Sequence, residues 1–202
     1  MSAVSMEYVI DPEDRARADL YDFLGLLLVK PADAELLRKL AGLQGDDTPI
    51  GNALNVLAKI ASVTSPETAE REFNALFIGL GRGELLPYAS HYLTGFLNEK
   101  PLANLREDMA KRGISRAEGK HEPEDNIASL MEMMGGMIVG RFGSVTSVGE
   151  QRAFFKAHVE PWAIHFFTDL EATKSSVFYG AIGSLGRHFM EIETEAFGML
   201  PN

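Results

Sequence analysis

Residues 11–31 read DPEDRARADLYDFLGLLLVKP, a stretch with the features of an amphipathic helix. Asp11 followed by Pro12 predicts a helix start, because aspartate caps free backbone amides and proline fits the first helical position. Apolar side chains then recur with the helical period, at Ala16, Leu20, Phe23, Leu24 and Leu27. Pro31 predicts the end of the helix, since the residue before a proline avoids helical backbone angles.

Start signals of the same kind recur along the rest of the chain. Capping residues precede three more apolar-periodic segments, at Asp33, Thr48-Pro49 and Ser65-Pro66. Ser147 and Glu150 form a capping box that predicts another start, and Pro161 is expected to kink or split the helix that follows. Further helices are predicted over 88–97, 101–112 and 122–142.

No sustained alternation of β-branched residues predicts a strand anywhere in the sequence. The fold class is therefore predicted to be all-α, a single-domain multi-helix bundle over residues 1–202. The polar stretch 113–121 is predicted to be a flexible loop or hinge.

Composition limits the classes of partner. The 202 residues are 46% hydrophobic, enough for one substantial core. With 19 Lys and Arg against 29 Asp and Glu, the formal net charge is −10. Nucleic acid and anionic lipid would be repelled by this charge, so a cationic partner is favoured and no nucleic acid is expected.

Several kinds of chemistry are excluded or disfavoured. The absence of cysteine removes disulfides, thiolate metal sites and cysteine nucleophiles. The glycine-rich stretch 79–87 lacks a preceding strand and a Gly-Lys-Ser/Thr ending, so it is interpreted as a turn and not as a phosphate cradle. The only Glu-x-x-His spacing, at Glu118 and His121, lies in a predicted loop, and no metal site is expected.

The N-terminus has no basic head followed by an apolar run, and no segment reaches about 18 uncharged apolar residues. A cytoplasmic protein without stable membrane insertion is therefore predicted. A binding protein is favoured over an enzyme. Two alternatives stay open, a small all-α enzyme that uses His158 or His188 with a carboxylate, and a helical ligand-binding regulator.

An acidic cluster lies at the start of the helix predicted over 122–142. At about 100° per residue, Asp125, Ser129, Glu132 and Gly136 fall on one polar ridge that is expected to be exposed. Such carboxylates either complement the helix dipole or recognise guanidinium and ammonium groups.

Two features of the same helix favour a binding role. The pair Gly135-Gly136 disfavours a helix by about 1 kcal/mol per residue, so a close approach or a bend is expected there. Four methionines, interpreted either as core filling or as a surface for varied apolar partners, are Met131, Met133, Met134 and Met137.

A set of spaced motifs runs through most of the sequence. The motifs are Leu76-Phe77-Ile78-Gly79, Pro87-Tyr88-Ala89-Ser90-His91-Tyr92-Leu93, Pro101-Leu102, Leu105-Arg106, Glu122-Pro123-Glu124-Asp125-Asn126-Ile127, Gln151, Phe154-Phe155, His158, Trp162 and Phe178-Tyr179. In their order and spacing they resemble the TorD/DmsD family of molybdoenzyme-specific chaperones. The resemblance runs from about residue 13 to residue 197. One departure is Asn126, where the family signature has a histidine, because asparagine cannot become cationic near neutral pH.

The resemblance implies an all-helical cytoplasmic chaperone, which binds a molybdoenzyme precursor through its twin-arginine signal peptide. It would hold the precursor back from export until the molybdopterin guanine dinucleotide of the client is inserted. No cofactor of its own is implied, although some members of the family bind GTP weakly. The oligomeric state implied is a monomer or a domain-swapped dimer, with 113–121 as the hinge.

Eleven residues are predicted to contact the peptide. Acidic residues would pair with its arginines, and Tyr88, Tyr92 and Trp162 would offer an aromatic surface to its apolar part. The full set is Glu122, Pro123, Asp125, Asn126, Ser129, Glu132, Tyr88, Ser90, Tyr92, His158 and Trp162.

Overall fold

A computed structural model describes residues 10–79, 82–116, 119 and 121–201 of the protein. Within these ranges the chain forms ten α-helices and two short π-helical segments. The α-helices are α1 Pro12–Val29, α2 Ala34–Ala41, α3 Pro49–Ala61, α4 Pro66–Phe73, α5 Ala89–Thr94, α6 Lys100–Lys111, α7 Ile127–Val139, α8 Val148–Phe154, α9 Ala163–Ala172 and α10 Phe178–Met199. The π-helical segments are Asn74–Ile78 and Phe155–Val159.

The described residues contain no strand, and the prediction of an all-α fold is confirmed. Their one isolated β-bridge pairs Tyr88 with Asn126. Buried apolar side chains from all ten helices form one contiguous core cluster. Residues 1–9 and 202 lie outside the described ranges, so the single-domain boundary at 1–202 stays a prediction. In the described ranges, no helix is both long and apolar enough to cross a bilayer.

Five of the predicted helix starts are confirmed by side-chain caps. At four of them a side-chain oxygen accepts a hydrogen bond from a backbone N–H: Asp11 from Glu13, Asp33 from Leu36, Thr48 from Gly51 and Ser65 from Thr68. Ser147 and Glu150 form the reciprocal capping box. Each start is decided within three residues of chain, and this is why sequence alone found them.

Pro161 divides the C-terminal part of the chain as predicted. After α8, the chain winds as a π-helix through Phe155–Val159, turns at Pro161 and restarts as α9. The π-helical turn sets the direction of His158, whose backbone oxygen accepts a hydrogen bond from the indole N–H of Trp162 at 2.9 Å.

Close helix crossings explain several glycines. Helix α1 packs along α7, where a Cβ on Gly135 would come within 2.6 Å of Asp22 Oδ1 and 3.2 Å of the Ala18 oxygen. A Cβ on Gly136 would meet the ring of Phe142 at 2.5 Å. The expectation of a close approach at Gly135-Gly136 is therefore confirmed.

Helix α7 differs from its prediction. It begins at Ile127 and not at Glu122, because Asn126 Oδ1 caps the N–H of Ala128 at 2.9 Å. The N–H of Ile127 donates to the oxygen of Pro87 at 2.8 Å, which ties the residues before α7 to a distant segment. Residues 122–126 are consequently a connecting loop.

The interpretation of the methionines as an adaptable surface is wrong. Met131, Met133, Met134 and Met137 are 0%, 6%, 0% and 2% exposed, so they fill the core. This follows from the position of α7, which is buried between α1 and the aromatic C-terminal helices.

The stretch predicted as a hinge is only partly described. Gly113 adopts a left-handed conformation with φ 68°, and Ile114 behind it is buried at 6% exposure. Arg116 pairs with Glu124 at 2.9 Å. Residues 117, 118 and 120 lie outside the described residues, so the hinge at 113–121 and the loop position of Glu118 both stay predictions.

Candidate functional site: an acidic cavity between α5, α6 and the π-helical turn

A cavity of about 320 Å³ opens where α5, α6 and the π-helical turn Phe155–Val159 meet the start of α7. Three carboxylates line it, together with one ammonium group and one imidazole. The lining residues are Ala89, Leu93, Pro101, Asn104, Leu105, Glu107, Asp108, Lys111, Asp125, Leu130, Ala157 and His158. The charges of these residues favour a cationic ligand.

Asp125 joins two segments that are far apart in sequence. Its side-chain Oδ2 accepts the N–H of Ser90 at 2.8 Å, and its backbone oxygen accepts the N–H of Ala89 at 3.0 Å. These bonds satisfy free amides in the first turn of α5, which has no side-chain cap of its own. Asp125 thus fixes the α5 wall of the cavity.

The other carboxylate oxygen of Asp125 is unpaired. Asp125 is 0% exposed, it lines the cavity, and Oδ1 has no hydrogen-bond partner in the protein. The hydroxyl of Ser90, also 0% exposed, is likewise without a partner. A buried anionic oxygen without a donor is costly, and a cationic ligand would remove that cost.

Asp108 on α6 is, by contrast, already paired. Its Oδ2 lies 3.0 Å from His158 Nε2 and 3.6 Å from Arg112, and its Oδ1 lies 3.8 Å from Lys111. Partial burial raises the pKa of the Asp108 carboxyl, but the hydrogen bond from His158 and the neighbouring cations outweigh it and hold that pKa below its usual value.

His158 therefore has a structural partner in Asp108. It is 8% exposed and its ring packs against Phe154 with centroids 4.8 Å apart. Its imidazole is therefore held by a carboxylate of α6. His165 is exposed.

The acidic residues ahead of α7 are engaged in different ways. Glu124 is held by Arg106 at 2.9 Å and Arg116 at 2.9 Å. Burial raises the pKa of the Glu124 carboxyl, while the two guanidinium groups outweigh that and lower it. Glu122 is exposed and accepts the hydroxyl hydrogen bond of Tyr88. Burial and this carboxylate raise the pKa of Tyr88.

The exposed ridge predicted on α7 does not exist. Asp125 precedes the helix and is buried, and Gly136 is buried under Phe142. Ser129 is half-buried, whereas Glu132 is exposed beside α1, where its side chain borders Gly25. The helix begins later than predicted, so Asp125 is outside the helical phase on which the ridge depended.

The aromatic surface differs from its prediction at one residue. Trp162 is 0% exposed and cannot offer its face to a peptide. It lies under Tyr92, with ring centroids 5.4 Å apart, and the Tyr92 hydroxyl donates to Asp169 at 2.9 Å. Tyr88 and Tyr92 are half-buried and stay accessible. Burial and the Asp169 carboxylate raise the pKa of Tyr92.

The cavity brings together Asp125 and His158 from the predicted set, with Ser90 behind the wall. Pro123 and Asn126 belong to the loop that supports it, and Ser129 and Glu132 do not line it. Sequence reasoning missed Leu93, Glu107 and Asp108. The signal for Asp108 was the spacing of Asn104, Asp108 and Lys111 along one face of α6.

Comparisons with known proteins assign the family. Residues 43–168, more than half of the chain, match the family described as the nitrate reductase delta subunit, and the chain belongs to this family, which includes the TorD chaperones. The chain is 26% identical over 200 residues to the chaperone protein TorD of Aliivibrio fischeri, covering 89% of this chain and 93% of that protein. The TorD of Vibrio atlanticus is 27% identical over 203 residues, with the same coverage of 89% and 93%.

A solved structure shares the fold. The crystal structure of an Archaeoglobus fulgidus protein described as a redox enzyme maturation protein superposes with a TM-score of 0.58, at 21% identity. The superposition covers 87% of this chain and 93% of the Archaeoglobus fulgidus chain. On the family match and the named relatives, the protein is a TorD-family chaperone. Among the described residues, no group of three or more His, Asp or Glu is placed to hold a metal ion.

Proposed function

We propose that this chaperone binds a molybdoenzyme precursor through its twin-arginine leader, and that one arginine of the leader enters the acidic cavity and pairs with Asp125. The observation that carries the proposal is the unpaired Oδ1 of a fully buried aspartate on the cavity wall. A guanidinium group offers donors in a planar fork and pairs well with such an oxygen.

Two of the neighbouring carboxylates are already paired, and this favours Asp125 as the buried anchor. Asp108 and Glu124 are each held by cations of the protein itself, so a ligand would have to displace those partners. Asp125 has an oxygen with no partner for a ligand to displace, and because that oxygen is buried, the side chains that cover it have to shift for the contact to form. Lys111 lies at the cavity with a side chain that is 72% exposed, so it can move into solvent at little cost.

The role of such binding is to delay export of the precursor. Holding the leader in the cavity keeps it from the export machinery while the client receives its molybdopterin guanine dinucleotide. The cofactor belongs to the client, and the chaperone contributes only binding. This proposal places the chaperone in the cytoplasm, as a monomer or a domain-swapped dimer.

Calorimetry with a twin-arginine leader peptide tests the central contact. Asp125→Asn removes the charge but keeps an acceptor for the amide of Ser90, so the fold is expected to survive. We expect the leader to bind about 1.5–3 kcal/mol more weakly, the usual size for a hydrogen bond to a charged group.

Glu70→Gln, on α4, is the matched control. It changes the net charge by the same amount at an exposed carboxylate that does not line the cavity. We expect it to bind the leader as the unaltered protein does. Equal affinity for Asp125→Asn and the unaltered protein would reject the proposed contact, and equal losses in both variants would reduce it to a general charge effect.

A further inference from the structure

The α5–α6 connection exposes a cluster of large apolar side chains beside the acidic cavity. Leu93 is 44% exposed, Phe96 is 70% exposed and Leu97 is 42% exposed. In the described part of the chain, no other five-residue window holds three exposed large apolar residues. Single exposed apolar residues are common on protein surfaces, but several together mark an interaction surface.

The cluster lies at the edge of the cavity. Leu93, at the end of α5, and Pro101, at the start of α6, both line the cavity wall, and the connection between them carries Phe96 and Leu97. A chain that enters the cavity past Leu93 therefore runs along this apolar edge.

The connection is held in a defined shape. Gly95 caps α5 in a left-handed conformation, and its N–H donates to the His91 oxygen at 2.8 Å. The hydroxyl of Thr94 donates to the Ser90 oxygen at 2.7 Å and accepts the N–H of Phe96 at 3.2 Å. Asn98 takes a left-handed conformation with φ 60°, which asparagine tolerates better than most residues. These hydrogen bonds hold the backbone in the conformation that leaves Phe96 exposed.

We infer that this apolar edge, which we define as Leu93, Phe96 and Leu97, binds the apolar residues next to the arginine that enters the cavity. The inference rests on the proposed function and names a second subsite for the same polypeptide. The ligand class is a segment with a cationic side chain followed within a few residues by large apolar ones.

Charge complementarity selects this occupant over a second copy of the chain. The cavity that adjoins the edge presents Glu107, Asp108 and Asp125, and the chain as a whole carries a net charge of −10. A second copy would bring further negative charge to an already negative rim, whereas a cationic segment neutralises it. One polypeptide that carries a cationic side chain and large apolar side chains would therefore bind the unpaired carboxylate and the apolar edge together.

Binding of two synthetic peptides separates the two subsites. One peptide carries two adjacent arginines followed by a run of leucines, and the other has serines in place of the leucines. We expect Phe96→Ser to weaken binding of the leucine peptide about tenfold, which corresponds to losing contact with one large apolar side chain. The same variant is expected to bind the serine peptide as the unaltered protein does.

Val63→Ser is the control for loss of an exposed apolar side chain. Val63 is 84% exposed, lies between α3 and α4, and does not line the cavity. It is expected to leave the affinity for both peptides unchanged, and circular dichroism checks the helix content of each variant.

The outcomes distinguish the inference from the proposed function. If Phe96→Ser affects both peptides equally, or affects neither, the apolar subsite is rejected, while a loss in Asp125→Asn still supports the cavity contact. If Asp125→Asn binds both peptides normally but Phe96→Ser selectively loses the leucine peptide, the edge is a binding surface and the arginine contact is rejected. If neither peptide binds the unaltered protein, both the apolar subsite and the arginine contact are rejected.

Discussion

Asn126 occupies the position where the TorD/DmsD signature has histidine, and its contacts show what the position requires in this chain. The side-chain Oδ1 caps the N–H of Ala128, and the residue pairs with Tyr88 in the isolated bridge. Asparagine is among the best residues for a helix start. The position therefore supports the loop on which Asp125 is mounted, without any need for a titrating ring.

Glu124 holds the same loop against α6 through its ion pair with Arg106. The contribution of this ion pair to the stability of the protein depends on pH. Burial raises the pKa of the Glu124 carboxyl, but Arg106 and Arg116 outweigh burial and hold that pKa below its ordinary value in the folded protein. A carboxyl whose pKa is lowered on folding contributes stability that is fully present above its unfolded pKa and is lost as the pH falls through the folded one.

We therefore expect Glu124→Gln to lower the free energy of unfolding by about 1–2 kcal/mol near neutral pH. The difference from the unaltered protein should shrink as the pH falls from about 5 towards about 3, because the protonated carboxyl then resembles the amide. Urea unfolding at several pH values measures it. Glu70→Gln, at an exposed residue of α4, serves as the control, and a difference that does not depend on pH would contradict the expectation.

The sequence revealed some site residues and not others for a physical reason. Asp125 and His158 were found because they lie in recognisable motifs. The burial of Asp125 was missed because it depends on backbone bonds between residues 87–90 and 125–127, which no local pattern encodes. The partnership of Asp108 with His158 depends likewise on how α6 packs against the π-helical turn.

At the scale of elements, helix starts were predictable and helix contacts were not. Capping and proline signals act within one turn, so α1, α3 and α4 begin where the sequence placed them. The start of α7 was misplaced by five residues, from Glu122 to Ile127, because a tertiary bridge to Tyr88 competes there with helix formation.

The crossing of α9 and α10 gives the clearest test of element packing. A Cβ on Gly183 would collide with the backbone nitrogen of Glu171 and lie 2.8 Å from the Glu171 Cα. Backbone cannot yield as a flexible side chain does, so the two helices would have to separate. We expect Gly183→Ala to lower the free energy of unfolding by about 2–3 kcal/mol, as overpacked cores do.

Gly180, one turn earlier in α10, provides the comparison. A Cβ there would lie 3.6 Å from the Glu171 oxygen, an ordinary contact. Gly180→Ala is expected to be neutral or to stabilise the protein by up to about 1 kcal/mol through helix propensity. Thermal unfolding of the two variants measures the contrast, and similar Tm values for both would show that the crossing is looser than described.

For the whole molecule, the net charge of −10 acts on encounter with a cationic partner before any contact forms. Association with an arginine-rich leader should therefore be slowed by salt. We expect the association rate to fall about tenfold between about 0.05 M and about 0.5 M salt, with a smaller change in the dissociation rate. Stopped-flow fluorescence with a labelled leader measures both rates, and a leader with glutamine in place of arginine should lose the salt dependence.

Three hydrogen bonds join, at a single point, two segments that lie more than thirty residues apart in sequence. Asp125 accepts two of them, from the N–H groups of Ala89 and Ser90, and Ile127 donates the third to the oxygen of Pro87. Occupancy of the cavity and order in this junction are therefore thermodynamically linked, since a ligand on Asp125 favours the joined arrangement. By reciprocity, any change that loosens the junction weakens binding by the same free energy.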